Sequence, residues 1–306
     1  MNISKKTLMS FLMALTSLIA MAQPYYHVMK QDGSNLTEET MYNAKNYKIR
    51  VDMVPAEEKP KDAIGGKITI WRSNCDKSPL KRSFYFTKHG NVYYDKTRKK
   101  FYFEDSQVYY KSYYGFYKLQ GKEYGTYICE HFKWGSTIDE CIDMYTGSGG
   151  AAVGASETYF YFANPANLPK LQEDLGNEKW TVLSACEWEY VMQALGETLY
   201  VNSTYCFVID TTPGKSLLRD YYITHNGSGF MSWEEYREYE RKGLVFLPAA
   251  GYRKDQKIKY AGDCGYYWSS TPVHRDATWT FSFGRGSLDV VYNGTGQCVR
   301  LVILAD

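Results

Sequence analysis

The chain has 306 residues and a formal net charge of +2, which argues against a nucleic-acid footprint. Its length suits one large or two moderate domains with enough chain to bury real cores. Beyond the first 22 residues it carries no other long apolar stretch, which argues against an integral helical membrane protein.

The N-terminal segment reads as an export signal. Lys5 and Lys6 form a cationic head, and Leu8 to Ala20 is an uncharged run of 13 residues, short of a membrane span. Ala20-Met21-Ala22 places small residues at the −3 and −1 positions, so residues 1–22 are expected to be cleaved and Gln23 to become the new N-terminus. A lipid anchor would require Cys at that position. The expected destination is outside the cytoplasm, in the periplasm or at the cell surface.

Residues 23–145 have the texture of strands and turns. Lys67-Ile68-Thr69-Ile70-Trp71 alternates, and Phe84-Tyr85-Phe86, Val92-Tyr93-Tyr94, Phe101-Tyr102-Phe103 and Val108-Tyr109-Tyr110 are short aromatic or β-branched runs with turn residues between. The basic run Lys96-Thr97-Arg98-Lys99-Lys100 falls between two of these and reads as a solvated hairpin tip. Residues 146–154 are rich in Gly and small residues and form the expected linker.

In residues 155–306 helix signals appear. Leu168, Leu171 and Leu175 recur at helical spacing before Gly176. Ser184 with Glu187, and Ser232 with Glu235, are capping boxes, opening helices closed by Gly196 and Gly243. Leu244 to Leu247 is a short apolar run stopped by Pro248. Trp279, Phe281 and Phe283 alternate with polar residues, as do Leu288, Val290 and Tyr292 after a Gly284-Arg285-Gly286 turn, and Val299 to Leu304 reads as a final buried strand. Helices followed by an antiparallel meander predict an α+β domain behind a β-rich N-terminal one.

Four segments in order carry a resemblance: Trp180 to Tyr190 (WTVLSACEWEY), Phe246 to Arg253 (FLPAAGYR), Gly265 to Ser270 (GYYWSS) and Cys298 to Val302 (CVRLV). They resemble the C-type-lectin-like domain of bacterial exported proteins, in the version shared by Fibrobacter succinogenes major paralogous domains and, more distantly, by formylglycine-generating-enzyme-like domains. The resemblance covers roughly residues 155–306 and implies a C-type-lectin-like fold there; the N-terminal half resembles no family identified. Trp180, Trp188 and Trp268 read as core bodies, Gly251 and Gly265 as places where a Cβ would clash, and Arg253 and Arg300 as structural forks that tie carbonyls or a carboxylate.

Two activities follow from the resemblance, and both lack their residues. Formylglycine-generating enzymes hold copper on a closely spaced late cysteine pair. Here the late cysteines are Cys264 and Cys298, 34 positions apart, and read better as a disulfide or as two isolated thiols. Calcium-dependent lectins of this fold use Glu-Pro-Asn, Gln-Pro-Asp and Trp-Asn-Asp triplets, none of which is present. GxSxG, HExxH and P-loop motifs are missing too, and the five histidines are scattered. No catalytic residue, metal or cofactor is expected.

Seven cysteines, an odd number, leave at least one unpaired within the chain. The 30 tyrosines fit either strand filler or a recognition surface. The closing region mixes aromatic, Arg and short polar residues, so Tyr267, Arg275, Trp279, Arg285, Tyr292 and Asn293 are the candidate ligand contacts, against the alternative of an ordinary solvent face. Some relatives of the resembled domain are diversified by retroelements at such positions. The expected role is non-enzymatic recognition or adhesion toward a glycan or protein ligand, with a purely structural surface protein, a formylglycine-generating-type oxidase and a retroelement-diversified variable protein as alternatives.

Overall fold

The computed structural model describes residues 47–72, 80–95, 98–110, 118–119, 122–123, 128–133, 168–214, 216–254, 257–274, 277–284, 288–292 and 295–305. The expected signal 1–22 and linker 146–154 lie outside the described residues. The first half supplies β1 (Tyr47–Asp52), β2 (Ala63–Arg72), β3 (Leu80–Thr87), β4 (Val92–Asp95), β5 (Lys100–Phe103), β6 (Lys118–Leu119), β7 (Lys122–Glu123), β8 (Ile128–Cys129) and β9 (Phe132–Lys133). The second half runs α1 (Leu168–Leu175), β10 (Trp180–Thr181), α2 (Ala185–Leu195), β11 (Gly196–Val201), β12 (Thr204–Asp210), α3 (Leu217–Thr224), β13 (Phe230–Met231) and α4 (Trp233–Lys242). It closes with β14 (Leu244–Pro248), β15 (Tyr252–Lys254), β16 (Lys257–Lys259), β17 (Gly265–His274), β18 (Ala277–Phe283), β19 (Leu288–Tyr292), β20 (Thr295–Gln297) and β21 (Val302–Ala305).

The architecture is mostly β, which corrects the α+β expectation: among the described residues strand outweighs helix by 45% to 21%. Two features account for the difference. The stretch between the two capping boxes, which had read as helix-bearing, contains the β11–β12 hairpin. The four helices among the described residues are short, 8 to 11 residues each, and they cover sheets instead of forming a layer of their own. The C-type-lectin-like arrangement expected for residues 155–306, with its own α+β core, falls with that correction. Val108-Tyr109-Tyr110 is not a strand either; Val108 plugs a core from an irregular segment.

Strands from both halves share sheets. The five-stranded sheet has the order β1-β2-β3-β21-β10, so the last strand of the chain is inserted between β3 and β10. Val302 stands opposite Phe86 and Leu304 opposite Phe84. A second sheet, β16-β15-β20-β9, and the bridge from Val92 N–H to Val299 O join the halves again. The terminal meander β17-β18-β19 forms as its alternation predicts.

Period-2 side-chain alternation distributes these strands between three cores. On β14, Val245 and Leu247 enter the main core while Leu244 and Phe246 enter a third core under α3 and α4. On β12, Phe207 and Ile209 go one way and Cys206 and Val208 the other. Trp188 sits at the centre of the main core, stacked on Phe281 at 4.8 Å, and its indole N–H donates to Trp268 O at 3.2 Å. Trp180 and Trp268 fill the second core with Phe132, Leu171 and Val299. Among the described residues no helix is long and apolar enough to cross a membrane.

Candidate functional site

The β11–β12 hairpin turns at Asn202 and Ser203, both at positive φ, and its register sets Tyr200 opposite Tyr205. On β11, Leu199 and Val201 point into the third core, so Thr198 and Tyr200 occupy the opposite face. The chain then passes through α3 and returns as β13, which pairs in parallel with β11 and places Phe230 beside Tyr200. Three aromatic side chains on three adjacent strands therefore form one lateral row.

The row has a free end and an anchored end. Phe230 and Tyr200 stack at 5.2 Å with 17° between their planes, and they are 67% and 40% exposed. Tyr200 meets Tyr205 at 4.8 Å, and Tyr205 meets the buried Phe283 at 6.1 Å. An exposed aromatic surface continuous with the core is the informative kind of exposure, because a row that served only stability would be covered. Short polar side chains flank it: Thr198, Asn202 and Ser228 are exposed. Burial raises the Glu197 carboxyl, with a hydrogen bond from Tyr222 opposing, and burial and Glu197 in turn raise Tyr222.

The loop that carries Phe230 is held at several points. Tyr200 N–H donates to Gly229 O at 2.7 Å, Asn202 N–H donates to Met231 O at 2.8 Å, and the Tyr221 hydroxyl donates to Phe230 O. Met231 is buried in the third core. At the loop's two ends, His225 Nε2 lies 2.6 Å from Glu235 Oε1, and His225 Nδ1 lies 2.8 Å from Tyr221 O.

Of the ligand contacts expected from sequence, Tyr267 is the one whose side chain lies among the described residues. Tyr267 is fully buried, which corrects its assignment to an exposed face: Tyr266, Tyr267 and Trp268 alternate between the two faces of β17 and are all inside. The Tyr267 hydroxyl donates to Pro248 O at 2.8 Å and accepts from Asn91 Nδ2 at 3.3 Å. Arg275, Arg285 and Asn293 lie outside the described residues, as do the side chains of Trp279 and Tyr292, whose backbones belong to β18 and β19.

Arg253 and Arg300 are buried. Arg300 Nη2 donates to Thr87 O at 3.2 Å and to Gln107 Oε1, and Gln107 passes the contact to Glu240 Oε1 at 3.0 Å. Burial lowers the Arg300 guanidinium to about 10, with Tyr267, Tyr236 and Glu240 opposing. Burial, with the charge of Arg253, depresses His131 to about 3, so its ring is neutral and donates from Nε2 to Ala250 O at 2.9 Å. Gly251 and Gly265 do sit where a Cβ would clash, 2.2 Å from Lys259 O and 2.1 Å from the Phe283 ring.

Cys264 and Cys298 are not bonded to each other, so of the two expected alternatives the disulfide does not form. Cys298 bridges to Tyr267, three residues beyond Cys264, and three strand residues span about 10 Å, more than a disulfide tolerates. The same separation denies them the closeness of a copper-binding pair. Cys298 Sγ instead lies 4.0 Å from Glu130 Oε1 inside the protein. Burial pushes the Cys206 thiol up, leaving it an inert apolar body.

Tyr200, Tyr205 and Phe230 were not singled out from sequence. Their signal was the Thr198/Tyr200 alternation against Leu199/Val201 with a two-residue Asn202-Ser203 turn. Phe230 had none, because its place beside Tyr200 depends on the chain's return through α3. A family model described as Domain of unknown function (DUF8237) matches residues 219–302, which includes Phe230 and the meander but not the β11–β12 hairpin. No curated protein matches the chain, and no solved structure does.

Proposed function

We propose that the chain is an exported, non-enzymatic recognition protein that binds a glycan, or failing that a partner protein, through the Phe230–Tyr200–Tyr205 row. The stacked and exposed Phe230–Tyr200 pair carries the reading. A sugar presents a flat C–H face to an aromatic ring and hydroxyls to its rim, and here two rings stand beside Thr198, Asn202 and Ser228. Rigid aromatics give large contact area at low entropic cost, and Tyr adds a hydroxyl for a polar ligand. The export signal expected at residues 1–22 agrees with a role at the cell surface.

The test is a glycan array and a panel of extracellular proteins probed with the purified secreted chain, with Tyr200→Ala and Phe230→Ala beside it. Met53→Ala is the control, an exposed apolar residue just past the end of β1. Either row variant should weaken binding by about tenfold or more, as expected when a central aromatic contact is removed. Unchanged binding by both variants, or no ligand on either panel, would overturn the assignment.

A further inference from the structure

We propose that His225 and Glu235 form a pH-responsive clasp on the loop presenting Phe230, closed by an imidazolium and loosened when the ring loses a proton. The functional consequence rests on the recognition reading above; the clasp itself stands on geometry. His225 Nδ1 faces Tyr221 O at 2.8 Å and Nε2 faces Glu235 Oε1 at 2.6 Å. A carbonyl and a carboxylate only accept. Both ring nitrogens must therefore donate, and only the doubly protonated imidazole carries two N–H groups. A neutral ring keeps one bond and turns a lone pair toward an acceptor at the other.

The placement makes this pair a fastener. His225 is the C-cap of α3, where helix carbonyls concentrate negative partial charge. Glu235 is the N3 residue of α4, and its other oxygen accepts from Ser232 N–H at 2.7 Å. The pair thus ties the end of one helix to the start of the next, and Phe230 sits midway along the loop between them. From α3, Tyr221 stacks on the imidazole at 4.2 Å. From α4, Tyr239 meets Tyr221 edge-on at 5.4 Å, while Lys242 lies over Tyr239 and bonds Glu238. On β11, Glu197 is engaged by Tyr222. Glu235 is the charged side chain that bonds the ring.

The Tyr221 carbonyl and the Glu235 carboxylate raise the pKa of His225, and the Ser232 amide and His225 lower that of Glu235. A raised histidine contributes stability that is fully present below its unfolded value, about 6.5, and lost as pH rises through the folded value. The Phe230 face is accordingly held firm in mild acid and freed at higher pH.

The ligand-free secreted chain suffices for the test, so a failed search for a ligand leaves this result independent. The His225 ring is titrated by NMR, assigned through His225→Gln. Exchange of the Gly227–Met231 amides is followed against pH by mass spectrometry, corrected for intrinsic rates. The wild type should titrate above 6.5, and loop protection should fall by about tenfold across that transition. His225→Gln should flatten the profile. Glu235→Gln keeps an oxygen for the Ser232 amide and should return the His225 titration toward 6.5. A wild-type His225 that titrates at or below 6.5, or a protection profile unchanged in His225→Gln, would overturn the clasp.

Discussion

Gly65 of β2 and Thr211 at the end of β12 lie so close that a Cβ on Gly65 would stand 1.6 Å from Thr211 Oγ1. Gly65 also has φ +66° and sits where the β2–β3 register slips between Ile64 and Ile68. The bulge lets Gly66 N–H donate to Thr211 O at 2.7 Å, while Thr211 Oγ1 donates to Gly243 O. An N-terminal strand is thereby keyed to the joint between α4 and β14. Gly65→Ala meets both a backbone penalty and a clash, and should cost about 2–4 kcal/mol. Denaturant unfolding measures it, and a loss under about 0.5 kcal/mol would mean that the contact relaxes cheaply.

Trp188 touches Phe86, Tyr267 and Phe281 and is wholly buried. Trp188→Ala should destabilise by about 3–5 kcal/mol through lost burial and a residual cavity. Trp188→Phe should cost less, because it keeps a ring against Phe281 but forfeits the bond to Trp268 O. Equal losses from the two variants would show that volume does not decide this site.

Glu187 does two jobs at once. Its carboxylate accepts from Ser184 N–H at 2.7 Å to close the capping box and pairs with Arg82 Nη1 at 2.9 Å. Arg82 lies on β3, so the pair ties an N-terminal strand to the start of α2. Glu187→Gln keeps an oxygen for the cap and should cost about 1 kcal/mol; Glu187→Ala removes both and should cost about 2–3 kcal/mol. A double-mutant cycle with Arg82→Ala separates the two parts. A coupling near zero would reduce the ion pair to a bystander.

His131 should make the fold acid-sensitive. Its folded pKa, about 3, lies below the unfolded value of 6.5, so below pH 6.5 the unfolded chain binds the extra proton. Stability should fall as pH drops from about 6 to 4, by up to about 1.4 kcal/mol per pH unit from this residue. His131→Gln retains a donor for Ala250 O and should show a shallower acid slope. Parallel wild-type and variant slopes would place the acid sensitivity elsewhere. The His225 clasp has the opposite sign, so its contribution survives in the variant.

Local features were readable. Ser184 with Glu187 and Ser232 with Glu235 close capping boxes because the interacting groups lie three residues apart on one turn. Gly243 ends α4 in a left-handed conformation, and the alternation around Phe281 and Phe283 makes the meander. The candidate site was not readable. Alternation names a face but not what covers it. On β17 aromatic residues fall on both faces, so nothing along the chain told whether Tyr267 pointed in or out.

The sequence by itself determined where helices start, which runs become strands and which residues are large enough to form cores, since these depend on neighbours a few positions away. Only the tertiary structure decided that Leu304 pairs with Phe84, 220 positions earlier, and that Phe230 comes to lie against Tyr200. Backbone donors and acceptors are the same in every strand, so pairing is chosen by how whole faces pack, and that is not written at any one position.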